Sequence, residues 1–264
     1  MKYTIVVPAY NEGTRIRKLL ENIVSEFKRH EIIVVDDGSQ DKTAEIAKSY
    51  GVKVIKHDGN KGKGAAIKTG FLNSNGDITG FIDADESISP EDIERVFCSA
   101  ENKTLAIASR YHPNSNITIK QPLSRRIASR SFNALVQILF CLNVTDTLCG
   151  CKAMKTNMAK EIAMETQSNG FEWDVELLWL ALIKDYRIKE VPVTWKHEKD
   201  STFWINLPQF CLTTAPKMLV SLLKMRIRHI SKKPLTGAIV AIFLLTSALL
   251  PIGAYILIRE FNKK

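Results

Sequence analysis

Four short apolar runs punctuate the first third of the chain, and the spacing between them constrains the fold more than any other feature. They are Tyr3–Pro8, Glu31–Val35, Val52–Ile55 and Ile78–Ile82. Unbroken apolar runs of this length read as strands buried on both faces. Between the first two, Ile16, Leu19, Leu20, Ile23, Val24 and Phe27 recur at helical spacing. A second helix, capped by Ser39 or Asp41, is expected to run to about Tyr50, and a third from Gly64 to about Leu72. Strand and helix in alternation imply a mostly parallel sheet with right-handed crossovers and helices on both faces. Pro8 is expected to stop the first strand.

Ligands of such sheets bind beyond the carboxyl ends of the strands. Four polar loops leave those ends: Ala9–Glu12, Asp36–Ser39, Gly59–Gly64 and Asp83–Glu86. The last follows its strand directly, and extended backbone places Asp83 and Asp85 on one side. Two carboxylates so close repel each other unless a cation lies between them. Oxygen ligands suit Mg²⁺ or Mn²⁺, and Mg²⁺ is commonly held by one or two carboxylates plus substrate phosphates. A lone Asp-x-Asp is more often a solvated turn, so its place in the alternating pattern carries the inference.

Two common nucleotide motifs are excluded. The glycine-rich stretch Gly59–Gly64 lacks the spacing of a Walker loop, and no Gly-x-Gly-x-x-Gly follows the first strand. Lys61 and Lys63 lie near phosphates or else in a solvated turn. Downstream, helices are expected over Pro90–Phe97, from Leu123 to Cys141, near Asn157–Glu165 and after Gly170, with strands at Thr104–Ser109 and, as an edge, Arg187–Trp195. Pro192 fits an edge strand. The five cysteines are scattered and unpaired by spacing, which reads as reduced thiols of a cytosol-facing protein. Met1-Lys-Tyr enters a strand directly, without a secretory signal.

Taken together, Pro8-Ala-Tyr-Asn-Glu12, Val35-Asp-Asp-Gly-Ser39, Asn60-Lys-Gly-Lys-Gly64, Asp83-Ala-Asp85, Ser109-Arg110-Tyr and Asp146…Cys149-Gly150 resemble family 2 of the glycosyltransferases, in its dolichyl-phosphate mannose and glucose synthase branch. The resemblance spans residues 3 to about 200 and implies an A-type glycosyltransferase fold that takes a nucleoside-diphosphate sugar, of the UDP-glucose or GDP-mannose type. It assigns Pro8, Tyr10, Glu12, Val35 and Asp37 to the nucleoside, and Asp83, Ala84 and Asp85 to diphosphate, sugar and metal. Lys63 joins the donor contacts. Arg110, Arg125 and Ser129 match positions that hold an acceptor phosphate. Two departures are informative. Ser87 stands where mannose-transferring members carry Gln. Phe171-Glu-Trp-Asp-Val-Glu176 looks more like the Phe-Asp-Val-Glu of glucose-transferring members, so a hexose on UDP is favoured.

A phosphate acceptor is already an anion, because its second pKa is about 6, and needs cations to position it rather than a base. Arg110 and Arg125 suit that task. Asp146 is the base if the acceptor is instead a hydroxyl, or else it orients the acceptor loop. The net charge of +9 is concentrated late in the chain: between Asp200 and Glu260 there is no acidic residue. Such a block fits a nucleic acid or an anionic membrane surface; the transferase resemblance favours the membrane, without nucleic acid. Phe203–Ile230 mixes apolar and basic residues as interfacial helices do. Gly237–Ile258 is 22 residues without a charge, about 33 Å as a helix against a hydrocarbon core of roughly 30 Å. The expected organisation is thus a catalytic domain over 1–200, a basic amphipathic helical segment over 201–233 and one transmembrane helix within 234–264. The flanking basic residues place the catalytic domain on the cytoplasmic side. The expected activity is a membrane-tethered, inverting transfer of a hexose to a polyprenyl or dolichyl phosphate. Two rivals are a family 2 enzyme acting on a glycolipid or polysaccharide hydroxyl, and a non-catalytic sugar-nucleotide-binding membrane adaptor. The intact acid pair argues against the adaptor.

Overall fold

The computed structural model describes residues 1–197 and 215–228. The expected alternation is present: β1 (Tyr3–Ala9), α1 (Gly13–Glu26), β2 (Glu31–Asp36), α2 (Thr43–Ser49), β3 (Lys53–Lys56), α3 (Lys63–Leu72) and β4 (Ile78–Ile82). There follow α4 (Pro90–Cys98), β5 (Thr104–Ser109), β6 (Asn116–Ile119), α5 (Leu123–Phe140), β7 (Cys151–Lys155), α6 (Thr156–Glu165), α7 (Trp173–Ile183), β8 (Arg187–Pro192), β9 (Thr194–Lys196) and α8 (Ala215–Arg228). Seven strands form one sheet in the order β3-β2-β1-β4-β7-β5-β8, while β6 and β9 pair separately. All main-sheet pairings are parallel except those of β7, which runs antiparallel to both β4 and β5.

Strand alternation divides the core into two layers. Ile5 and Val7 face Ile16, Leu20 and Phe97, whereas Val6 faces Phe71, Phe81 and Trp173. Because both faces are covered, β1 has no exposed position, which is why its sequence shows no polar alternation. The chain leaves β1 for β2 on one side and reaches β4 on the other, so the strand order reverses at β1. A crevice opens beyond the carboxyl ends at that point.

Two expectations need correction. Pro8 does not end β1, which runs on to Ala9. The Ala9 carbonyl accepts from the Asp37 amide on the β2 side, so Pro8, one residue earlier, faces the β4 side. The β4 ladder has already stopped at Val6, so the missing N–H there costs no bond. Neither Ser39 nor Asp41 is the N-cap of α2, which is Lys42. Ser39 Oγ instead accepts the Asn11 amide at 2.9 Å, and Asp41 Oδ2 accepts the Gly13 amide at 3.0 Å, so both residues secure the start of α1. Strand β7 is an addition that sequence patterning leaves unread. A lysine is the second residue of its Cys-Lys-Ala-Met-Lys run, yet Lys152 is fully buried.

The C-terminal expectations fall mainly outside the described residues. The uncharged stretch Gly237–Ile258 lies beyond them entirely, and among the described residues no helix is long and apolar enough to cross a membrane. Of the basic segment 201–233, only 215–228 is described. Leu222 and Met225 of α8 join the core, and the buried Arg226 donates from Nε to the Leu139 carbonyl at 2.9 Å. Val220, Lys224 and Ile227 face outward.

Candidate active site

Hydrogen bonds between consecutive βα loops build one wall of the crevice. The Glu12 amide donates to Thr43 Oγ1 at 2.9 Å and the Gln40 amide to Asn11 Oδ1 at 2.9 Å, which ties the loop after β1 to the loop after β2. Tyr10 is exposed at the rim. Glu12 is half-buried and pairs with Arg15 at 2.9 Å. Burial, and less strongly the charges of Asp85 and Asp83, push the Glu12 carboxyl up to about 7 against the pull of Arg15. Val35 and Ala84 are buried, Val35 completely, so Val35 has only its main chain to offer a ligand. Asp37 is buried too. It accepts the Lys61 amide at 3.0 Å and the Gly62 amide at 2.7 Å, and lies 2.6 Å from His57 Nδ1. In this structure Asp37 therefore ties the glycine loop to β2.

That loop delivers Lys63 to the acid pair. Gly62 has φ 101°, a conformation suited to glycine, and it turns the chain into α3. The Lys63 ammonium lies 2.7 Å from Asp83 and 3.4 Å from Asp174 at the start of α7. Burial opposes its charge, but the two carboxylates outweigh burial and raise its pKa. Asp83 is held from behind by its own amide, which donates to the Gly150 carbonyl at 2.8 Å. A Cβ at Gly150 would collide with the Asp83 carboxylate, so only glycine leaves room for the acid there. Asp85 accepts the Ser87 amide at 3.1 Å, and its pKa is raised by burial first and by the Asp83 charge second.

The opposite wall depends on β7. Because β7 is antiparallel, the loop before it, rather than the loop after it, reaches the carboxyl edge of the sheet. There Asp146 meets Arg110, the residue that follows β5. Arg110 Nε donates to Asp146 Oδ2 at 2.7 Å and Nη2 to Oδ1 at 2.8 Å, while the Arg110 amide adds a bond of 3.0 Å. Asp146 has no exposed surface, and its carboxyl is held below the usual range because Arg110 outweighs the effect of burial. Arg110 is raised in return. Glu190 fixes the loop by accepting the Thr145 amide at 3.0 Å and the Thr145 hydroxyl at 2.6 Å. Arg125 and Ser129 lie on α5. Burial, then the neighbouring Arg110 charge, lower Arg125 to about 10, with Asp85 near enough to oppose the shift. Ser129 Oγ is 3.3 Å from the Tyr111 hydroxyl.

The crevice therefore unites Tyr10, Glu12, Lys63, Asp83, Asp85, Arg110 and Arg125, while Asp37 and Asp146 act through their neighbours. Sequence reasoning missed Lys152 and Glu190 as supports of the site and held Gly150 only as part of a family-like motif. Asp174 was visible only as part of a family-like motif. No group of three or more metal-binding side chains occurs among the described residues. The oxygen-only pair of Asp83 and Asp85 nevertheless fits a cation that completes its shell with phosphate and water. Burial first and the Asp83 charge second disfavour the Asp85 carboxylate, and a cation would relieve both.

Comparison with known proteins identifies the family and the fold. Residues 4–163 match the description "Glycosyl transferase family 2". Dolichyl-phosphate beta-glucosyltransferase of Saccharomyces cerevisiae is 34% identical over 227 residues, covering 75% of this chain and 68% of that protein. The Dictyostelium discoideum protein of the same name is 32% identical over 214 residues, covering 73% of this chain and 65% of that one. The chain thus spans about two thirds of the length of these relatives. Among solved structures, glucosyl-3-phosphoglycerate synthase from Mycobacterium tuberculosis with bound UDP superimposes with a TM-score of 0.62 at 20% identity, covering 85% of this chain and 80% of that chain. The same enzyme with Mn²⁺ and UDP-glucose gives a TM-score of 0.60 at 19% identity, over 85% and 78% of the two chains. At such identities the likeness speaks for the fold, an α/β arrangement of the A-type glycosyltransferase kind.

Proposed function

The chain belongs to glycosyl transferase family 2, and from that premise we propose that it transfers a hexose from a nucleoside diphosphate, with UDP-glucose the favoured donor, to a polyprenyl or dolichyl phosphate. The observation that carries the acceptor is the closed pair of Arg110 and Asp146. The carboxylate best placed to deprotonate an acceptor hydroxyl is fully buried and engaged on both oxygens. An acceptor that is already anionic needs no such base. Two arginines near the acid pair are the groups it does need. The glucosyl names of the relatives and the motif around Asp174 support glucose and UDP.

In this reading Tyr10 and Glu12 border the nucleoside, and Lys63 faces the diphosphate beside Asp83. Asp83 and Asp85 would hold Mg²⁺ or Mn²⁺. When bound, the ion supplies neutralisation of the charge that develops on the leaving diphosphate. Arg125 holds the acceptor phosphate with Arg110, and Asp146 keeps the Arg110 guanidinium in place. A phosphate oxygen attacks the anomeric carbon as the bond from that carbon to the diphosphate breaks, with inversion and no proton to remove. Ser129 orients the acceptor through its hydroxyl. The membrane attachment proposed from Gly237–Ile258, with the catalytic domain on the cytoplasmic face, suits an acceptor that stays in a bilayer.

The test is incubation of the full chain with UDP-glucose, other UDP-hexoses and GDP-mannose, each with polyprenyl phosphate and Mn²⁺ in detergent. A lipid-linked hexose that requires the phosphate on the lipid is expected. Transfer to a glycolipid hydroxyl, with none to the lipid phosphate, would overturn the proposal.

A further inference from the structure

An ammonium inside a protein is expensive to desolvate, and an apolar chain of similar volume is often as good or better for stability. Lys152 is the second residue of β7, a strand inside the sheet, and has no exposed surface. Its ammonium pairs with Asp174 Oδ1, donates to the Cys149 carbonyl at 3.0 Å, and lies 5.4 Å from the centroid of the Phe81 ring. The other oxygen of Asp174 is 3.4 Å from the Lys63 ammonium, which is 2.7 Å from Asp83. Four charges of alternating sign therefore run from the sheet centre to the crevice: Lys152, Asp174, Lys63, Asp83.

We propose that Lys152 is a positioning residue for the donor diphosphate: by neutralising Asp174, it keeps the Lys63 ammonium turned toward Asp83 and the crevice. The inference rests on the donor reading given above. The distances explain how it works. Asp174 lies between two lysines, and Lys152 takes the closer contact, so Lys63 is held only loosely at 3.4 Å and closely by Asp83. Without Lys152, Asp174 would be a buried carboxylate with Lys63 as its only remaining cation among these four groups. Attraction between charges strengthens as the surrounding dielectric falls, so Lys63 would be drawn inward, away from the phosphates. Removal of both Lys152 and Asp174 charges would restore the balance and release Lys63 again. A lysine that merely stabilised the sheet would change the unfolding temperature on substitution and leave the nucleotide affinity of the folded protein alone.

The experiment measures UDP binding by calorimetry with Mn²⁺, and thermal unfolding in parallel, on the full chain in detergent. GDP replaces UDP if that is the nucleotide the unaltered protein binds. Lys152→Met should raise the Kd about tenfold, the usual scale of one charge-assisted phosphate contact. Combining Lys152→Met with Asp174→Asn should return the Kd to within about threefold of the unaltered protein. If Lys152→Met fails to fold, Lys152→Gln takes its place in both variants. A tenfold loss that persists in the double variant, or failure of the double variant to fold, assigns Lys152 to sheet stability and overturns the inference. An unchanged Kd in Lys152→Met overturns it as well while leaving the donor reading intact. Binding of neither UDP nor GDP by the unaltered protein overturns the donor reading and this inference with it.

Discussion

The two walls of the crevice carry similar numbers of charges but treat them differently. On the acceptor wall, Asp146 and Arg110 satisfy each other through two side-chain bonds and one amide, with Asp146 fully buried and Arg110 mostly so. On the donor wall, Asp83 and Asp85 crowd each other, and Lys63 answers only the first at close range. In the closed pair Asp146 is spent on Arg110 and fixes where the guanidinium stands. A crowded pair with too little positive charge waits for a cation. The difference separates an acid that shapes the site from acids placed to meet a cation, and substitutions of the two kinds should therefore fail in different ways.

The largest expected effect is on the donor wall. Asp85→Asn should reduce transfer at least about a hundredfold, the scale of losing charge stabilisation in a transition state, while thermal stability stays near that of the unaltered protein. Undiminished turnover in chelator, or full activity of the variant, would break the comparison. Asp146→Asn should do the reverse and destabilise the fold first. Removing one partner of a buried pair costs about 3–5 kcal/mol, which thermal or denaturant unfolding would register. A stability change under about 1 kcal/mol would mean the pair is not structural.

Acid should expose the same asymmetry. The Asp146 carboxyl has a folded pKa below its unfolded value of about 3.9. Its contribution is therefore complete above that unfolded value and is lost as pH falls through the lower folded one. Stability measured from pH 5 downward should fall more steeply in the unaltered protein than in Asp146→Asn; equal slopes would remove Asp146 from the account.

Smaller effects should sharpen the acceptor wall. Arg125→Ala is expected to raise the KM for polyprenyl phosphate roughly tenfold and to leave the donor KM alone, since a hydrogen bond to a charged group contributes about 1.5–3 kcal/mol. Equal damage to both substrates would make Arg125 structural. Ser129→Ala should cost the least, a few-fold in acceptor KM, because a neutral hydrogen bond contributes about 1 kcal/mol. A loss as large as that of Arg125→Ala would show that Ser129 does more than orient the acceptor.

The donor wall was largely legible because each of its loops belongs to one strand–loop–helix unit. Tyr10, Glu12, Asp83 and Asp85 lie within a few residues of a strand end and Lys63 opens the helix after β3, and both strand ends and helix starts can be read from local patterns. The acceptor wall was legible only through family resemblance. Arg110 and Asp146 are far apart in sequence and meet because β7 enters the sheet antiparallel between β4 and β5. β7 itself was hidden by Lys152, since a charge inside a strand pattern normally signals a surface.

What the sequence alone determined is the local order: where strands lie buried, where they end and which acids follow them, because hydrophobic periodicity and turn chemistry act over a few residues. What only the tertiary structure decided is how charges are shared. Asp37 binds a loop rather than lying free, Asp146 is closed by Arg110, Gly150 makes room for Asp83, and Lys152 reaches Asp174 from the middle of the sheet. Each of these depends on distances between segments remote in the chain. Electrostatic energies vary steeply with such distances and with burial, and neither is present in the order of residues until the sheet has assembled.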